Sequence, residues 1–181
     1  MKRYSIIILI SLLISAEGIS QSKNPGSWEK RLDNLLPYLG HRNWIIIVDK
    51  AFPAQTSPGM EIINTDSDIL DVSKLVLARL NASSHVKPVI YLDKEFEYLT
   101  TGQVPQIPAF RDKYKALFKE YPAQTMLHES VFGKLDEASR LFKIIVLKTN
   151  CLIPYSSVFI ELDCKYWNDK AEQELRKSMS H

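Results

Sequence analysis

Two short stretches of the chain combine residue types that can do chemistry. In the first, His41 follows Gly40, and Asp49 closes the apolar run Trp44-Ile45-Ile46-Ile47-Val48. An imidazole with an ordinary pKa of about 6.5 can give or take a proton near neutral pH. A carboxylate just past the carboxyl end of a buried strand stands where open α/β sheets gather ligands. The plainer reading is that Asp49 turns the loop backbone and His41 serves the end of the preceding helix. The second stretch is Pro154-Tyr155-Ser156-Ser157, which leads into the apolar run Val158–Leu162. A phenol and two hydroxyls at a strand entrance can line a polar pocket, or form a turn beside a half-buried tyrosine.

Other chemistries find less support. The four histidines stand at 41, 85, 128 and 181, and none has a metal-ligand partner three or four residues on. No G-x-S-x-G, phosphate-binding loop or G-x-G-x-x-G is present. No metal site and no cofactor are therefore expected. The two cysteines, Cys151 and Cys164, flank an expected strand. At about 3.3 Å per residue that strand holds them too far apart for a disulfide unless the chain doubles back, so two partly buried free thiols are expected.

Hydrophobic spacing gives the elements that must position these groups. Ser27 can cap a helix carrying Leu32, Leu35, Leu36 and Leu39, with Pro37 distorting its last turn. Trp44–Val48 reads as a strand covered on both faces. Residues 61–64 read as a short strand, and residues 68–80 as a helix turning Ile69, Val72, Val76 and Leu80 inward. Residues 86–92 read as a strand that tolerates Pro88 only near its start or at an edge. The stretch 93–108 has no clear period. A helix is expected over 110–121, a strand over 125–128 and a helix over 135–141. Two final strands follow over 142–147 and 158–162. Strands alternating with helices imply a three-layer α/β/α fold with a central, mostly buried sheet.

The N-terminus reads as an export signal. Lys2 and Arg3 precede the apolar run Ile6–Ile14, and Gly18-Ile19-Ser20 offers small residues for cleavage. The run is short for a membrane span, which needs about 20 residues. The expected organisation is a signal peptide over 1–20, one domain over 21–165 and a polar helical extension over 166–181. Cleavage removes Lys2, Arg3 and Glu17 and takes the formal charge from +2 to +1. No basic block offers a surface to nucleic acid, and no later segment reads as membrane-spanning. A periplasmic or secreted location follows.

The segment from Leu39-Gly40-His41 through Asp49-Lys50-Ala51-Phe52-Pro53 resembles the ribose pyranase and fucose mutarotase family. Those proteins carry a Gly-His, then a strand ending in Asp, then a Pro. The late segment from Ala138 through Phe142-Lys143-Ile144-Ile145-Val146 to Pro154-Tyr155-Ser156-Ser157 is similar to the family's buried strand, Tyr-x-Asn and final strand. The likeness covers roughly residues 28–164.

The resemblance implies a monosaccharide mutarotase or pyranase, with sites at the boundaries of a homo-oligomeric ring. His41 takes the place of the catalytic histidine, Asp49 that of a carboxylate holding sugar hydroxyls, and Tyr155 that of the sugar-contacting tyrosine. Ser157 stands where the family has Asn. The family's sugar-binding Arg or His has no clear match, although His128 lies close to it and out of register. Ring opening needs one proton delivered to the ring oxygen and one removed from the anomeric hydroxyl, which His41 can serve as acid/base. The competing expectation is a non-catalytic exported sugar-binding protein on the same scaffold.

Overall fold

A computed structural model describes residues 27–179. The expected signal peptide lies outside the described residues. Six strands form one mixed sheet in the order β2-β5-β1-β6-β3-β4. They are β1 (Trp44–Val48), β2 (Met60–Asn64), β3 (Val86–Asp93), β4 (Gln124–Met126), β5 (Ile144–Lys148) and β6 (Val158–Cys164). The α-helices among the described residues are α1 (Trp28–Leu35), α2 (Ile69–Ala82), α3 (Ile107–Phe118), α4 (His128–Ala138) and α5 (Asp169–Ser178).

β1 lies between β5, parallel to it, and β6, antiparallel to it. All five of its residues are buried, which is why it is a continuous apolar run. Alternate side chains enter two cores. Ile45 and Ile47 join Leu32 of α1, Val72 and Val76 of α2, and Tyr114 of α3. Trp44, Ile46 and Val48 join Val131 and Leu135 of α4. Helices α1–α3 therefore cover one face and α4 the other, giving the three layers. α5 buries no residue.

Several local differences from the sequence expectation have simple causes. Ser27 stands at the N-cap of α1 but makes no side-chain capping bond. Pro37 turns the end of that helix into a 3-10 turn over Leu36–Tyr38. Ile69, Val72, Val76 and Leu80 are all fully buried, and Asp68 caps α2 through the Leu70 N–H. Pro88 sits inside β3, where it is tolerated because β4 pairs only with Tyr91–Asp93 and leaves the earlier edge of β3 open. α3 starts earlier than expected, with Pro108 in its first turn. The helix expected over 135–141 is α4, which begins at His128. Its buried stripe is only Val131, Leu135 and Ala138, so its polar first turn carries no periodic signal.

Gly59, before β2, passes against the turn between α4 and β5. A Cβ there would collide with the backbone carbonyls of Ser139 and Phe142. Cys151 is buried and Cys164 half-buried, and both are free thiols.

Candidate functional site

Strand direction gathers the polar groups along one edge of the sheet. β1 and β3 run the same way, since each is antiparallel to β6, and β4 is parallel to β3. Their carboxyl ends therefore share an edge with the entrance to β6. Asp49 lies just past β1, Tyr155 shortly before β6, Asp93 at the end of β3, and His128 two residues past β4. The register pairs Asp93 with Met126, which sets His128 just beyond the aspartate.

Asp49, His128 and Tyr155 line one open cavity of about 320 Å³, with Phe52, Pro53 and Phe132 among its apolar walls. That volume lies in the range of small-molecule sites, and an apolar wall with a few convergent polar groups is their usual composition. One Asp49 oxygen accepts the Ala51 N–H at 2.8 Å, so this carboxylate does shape its own loop. Tyr155 holds a left-handed backbone, φ 57°. A non-glycine residue there costs on the order of 1 kcal/mol. Its ring meets the His128 ring edge-on, with centroids 5.4 Å apart. On its other side the His128 ring meets the Phe132 ring, with centroids 4.6 Å apart.

His128 is held at two points. Its backbone N–H donates to both carboxylate oxygens of Glu95, each at 3.1 Å, which satisfies the start of α4. Its Nδ1 lies 2.9 Å from Oδ2 of Asp93. Asp93 is 1% exposed, and its Oδ1 is buried without a hydrogen-bond partner. Burial pushes its carboxyl up to about 6, against the pull of the His128 hydrogen bond and charge, and the carboxylates of Glu95 and Asp49 add to the rise. Asp93 is itself carried on a fixed segment. The 3-10 turn Lys94–Tyr98 follows it, and Arg111 of α3 donates to the carbonyls of Phe96 and Leu99.

Cys151 also borders the cavity. Burial pushes its thiol up, so it is a poor nucleophile. Among the described residues no group of three or more His, Cys, Asp and Glu side chains could hold a metal ion. No helix among them is long and apolar enough to cross a membrane.

The structure does not bring His41 or Ser157 to this cavity. His41 lies at the other end of β1, with roughly 16 Å of strand between it and Asp49. There it is exposed, with Nε2 3.6 Å from Asp163 Oδ1. Burial raises the Asp163 carboxyl, but the hydrogen bonds from Lys87 and from the Cys164 N–H outweigh it and hold the group below its ordinary value. His41 borders a separate groove of about 410 Å³ with Arg42, Lys134, Glu137 and Glu161. Ser157 is 1% exposed, and its carbonyl accepts the Tyr114 hydroxyl on the α1–α3 side of the sheet. Phe96 and Tyr114 pack in that same core, while Tyr98 is exposed. The residue that sequence reasoning missed is Asp93. It ends β3 much as Asp49 follows β1, but its role comes from the pairing of β3 with β4, which no local sequence pattern announces.

No family model matches this sequence, and no curated protein matches it by sequence. Solved structures do share its fold. Bacillus subtilis RbsD complexed with D-ribose superposes with a TM-score of 0.54 at 17% identity, covering 78% of this chain and 98% of that one. The fucose mutarotase of Streptococcus pneumoniae in complex with L-fucose gives 0.51 at 17%, covering 81% and 97%. FucU from Bifidobacterium longum gives 0.51 at 16%, covering 74% and 94%. The chain is thus structurally similar to the ribose pyranase and fucose mutarotase group, at low identity.

Proposed function

We propose that this protein binds a monosaccharide in the cavity of Asp49, His128 and Tyr155 and interconverts its ring or anomeric forms by acid/base catalysis. The observation that carries this reading is the convergence of those three side chains at one sheet edge, on a fold shared with ribose- and fucose-bound proteins. Asp49 accepts hydrogen bonds from sugar hydroxyls, and Tyr155 adds a phenol whose strained backbone fixes its direction. The apolar walls suit the less polar face of a sugar ring. Mutarotation already proceeds in water, so general acid/base assistance, typically about 10²- to 10⁴-fold, suffices.

His41 enters this reading as the acid/base of a neighbouring copy. Within its own chain it cannot reach the cavity, so the site is complete only in an oligomer, where one copy's groove faces another copy's pocket. The charged and apolar N-terminal pattern supports an exported protein, with Gln21 as the first residue after signal cleavage.

The separation of His41 from the cavity, and the burial of Ser157, favour a second reading: a sugar-binding protein without catalysis. Titrating ribose and fucose into the protein by calorimetry, alongside anomer-exchange NMR, decides between them. Binding with accelerated exchange supports the enzyme. Binding alone supports the second reading, and no binding overturns both.

A further inference from the structure

Opening a hemiacetal takes two proton transfers, and His41 of a neighbouring copy accounts for one of them. We propose that Asp93 is a positioning residue that holds His128 as the pocket's own acid/base group, with Nε2 rather than Nδ1 turned to the sugar. This rests on the sugar-site reading given above.

The geometry separates two tasks that one carboxylate might have shared. Glu95 already satisfies the His128 backbone N–H. Asp93 is therefore not needed to cap α4, and its one hydrogen bond goes to the imidazole ring. Burying a carboxylate costs several kcal/mol unless it is well paired, so this placement is not explained by stability. Its second oxygen is buried and unpartnered, which leaves His128 as the group that it serves. Groups on four other elements surround it: His128 on α4, Glu95 in the 3-10 turn, Asp49 after β1, and Tyr114 on α3.

With Nδ1–H donated to Asp93, the neutral ring must carry its lone pair on Nε2. That nitrogen has no hydrogen-bond partner among the described residues. The ring lines the cavity and is wedged between Phe132 and Tyr155. In the forward step Nε2 takes the proton of the anomeric hydroxyl. The bond between the anomeric carbon and the ring oxygen breaks, and its electron pair goes to the ring oxygen. That oxygen receives a proton from the His41 imidazolium of the neighbouring copy. The product is the open-chain carbonyl form, and closure on either face runs the same transfers backwards. No proton is gained or lost overall.

The test reads the ring directly. Long-range ¹H–¹⁵N NMR of imidazole-labelled protein, without sugar and at a pH where the rings are neutral, reports which nitrogen of His128 bears the proton. The expected result is Nδ1–H in the unaltered protein and loss of that preference in Asp93→Leu, which removes every acceptor. Asp93→Asn keeps the shape and guards against a folding defect. Anomer exchange is expected to fall roughly 10- to 100-fold in Asp93→Leu while sugar affinity changes little. An Nε2–H ring in the unaltered protein overturns the pairing whatever the sugars do. Full exchange in a folded Asp93→Leu protein overturns the positioning role. Nδ1–H with no exchange in the unaltered protein overturns the mutarotase reading and with it the catalytic part of this proposal.

Discussion

Replacing Asp93 with Asn should stabilise the protein at neutral pH and leave it no more stable in acid. Folding raises the Asp93 carboxyl from 3.8 to about 6. Between those two pH values the folded chain holds a proton that the unfolded chain has lost. Stability therefore falls as pH rises through that window, and above about 6 the whole cost of the buried charge is present. At about 1.36 kcal/mol per pH unit, the cost is on the order of 3 kcal/mol. Asn carries no charge and has a similar shape, so it escapes this cost. It gives up part of a charge-assisted hydrogen bond to His128, worth about 1 kcal/mol net. A gain of roughly 2 kcal/mol at about pH 8 is expected, or roughly 4–8 °C in melting temperature for a domain of this size. Near pH 4 the two proteins should differ little. Other carboxyls slope the opposite way: Glu61 is held below its ordinary value, first by its Lys143 hydrogen bond and then by Arg31. Both proteins share that behaviour, so the difference between them isolates Asp93. Chemical denaturation of each protein at the two pH values measures it. Parallel pH dependence in the two proteins would show that Asp93 is not a buried charge, and the reasoning about this site would fail.

Other expectations concern the pocket and its support. His41→Ala and Asp49→Ala should each abolish catalysis, yet an equimolar mixture, dissociated and reassembled, should regain activity at about a quarter of its sites if each site draws on two copies; no recovery would mean that the site is not shared. Tyr155→Gly should leave stability within about 1 kcal/mol, because the released left-handed backbone offsets the lost ring contacts, while sugar affinity drops at least several-fold by calorimetry. Gly59→Ala should cost about 1–3 kcal/mol in a denaturant melt, because the added methyl meets the carbonyls of Ser139 and Phe142.

How far the sequence could be read depends on what sort of signal each residue carries. β1 was legible because all five of its residues are buried, and α2 because Ile69, Val72, Val76 and Leu80 form one buried helical stripe. Asp49 and Tyr155 were legible because a strand end is a position that sequence can locate. α4 was not, since its first turn, His128-Glu129-Ser130, is polar and only three of its residues are buried. With its start displaced, His128 appeared to lie out of register with Tyr155, although the fold sets their rings together. Asp93 was hidden for another reason. Its meaning depends on β4 lying parallel to β3, a long-range pairing of three residues that no local pattern announces. The spacing of His41 and Asp49 was plain from the outset. Spacing along a strand, however, puts two residues at opposite ends of it and says nothing of whether they serve the same pocket.

Magnetisation-exchange NMR between the anomers of ribose and of fucose tests most directly whether the chain catalyses sugar ring opening. The unaltered protein, as the chain from Gln21 onward, should speed exchange for at least one of the two sugars. His41→Ala should return the rate to that of buffer. Exchange no faster than buffer with both sugars, at protein concentrations where the cavity is occupied, would contradict the account.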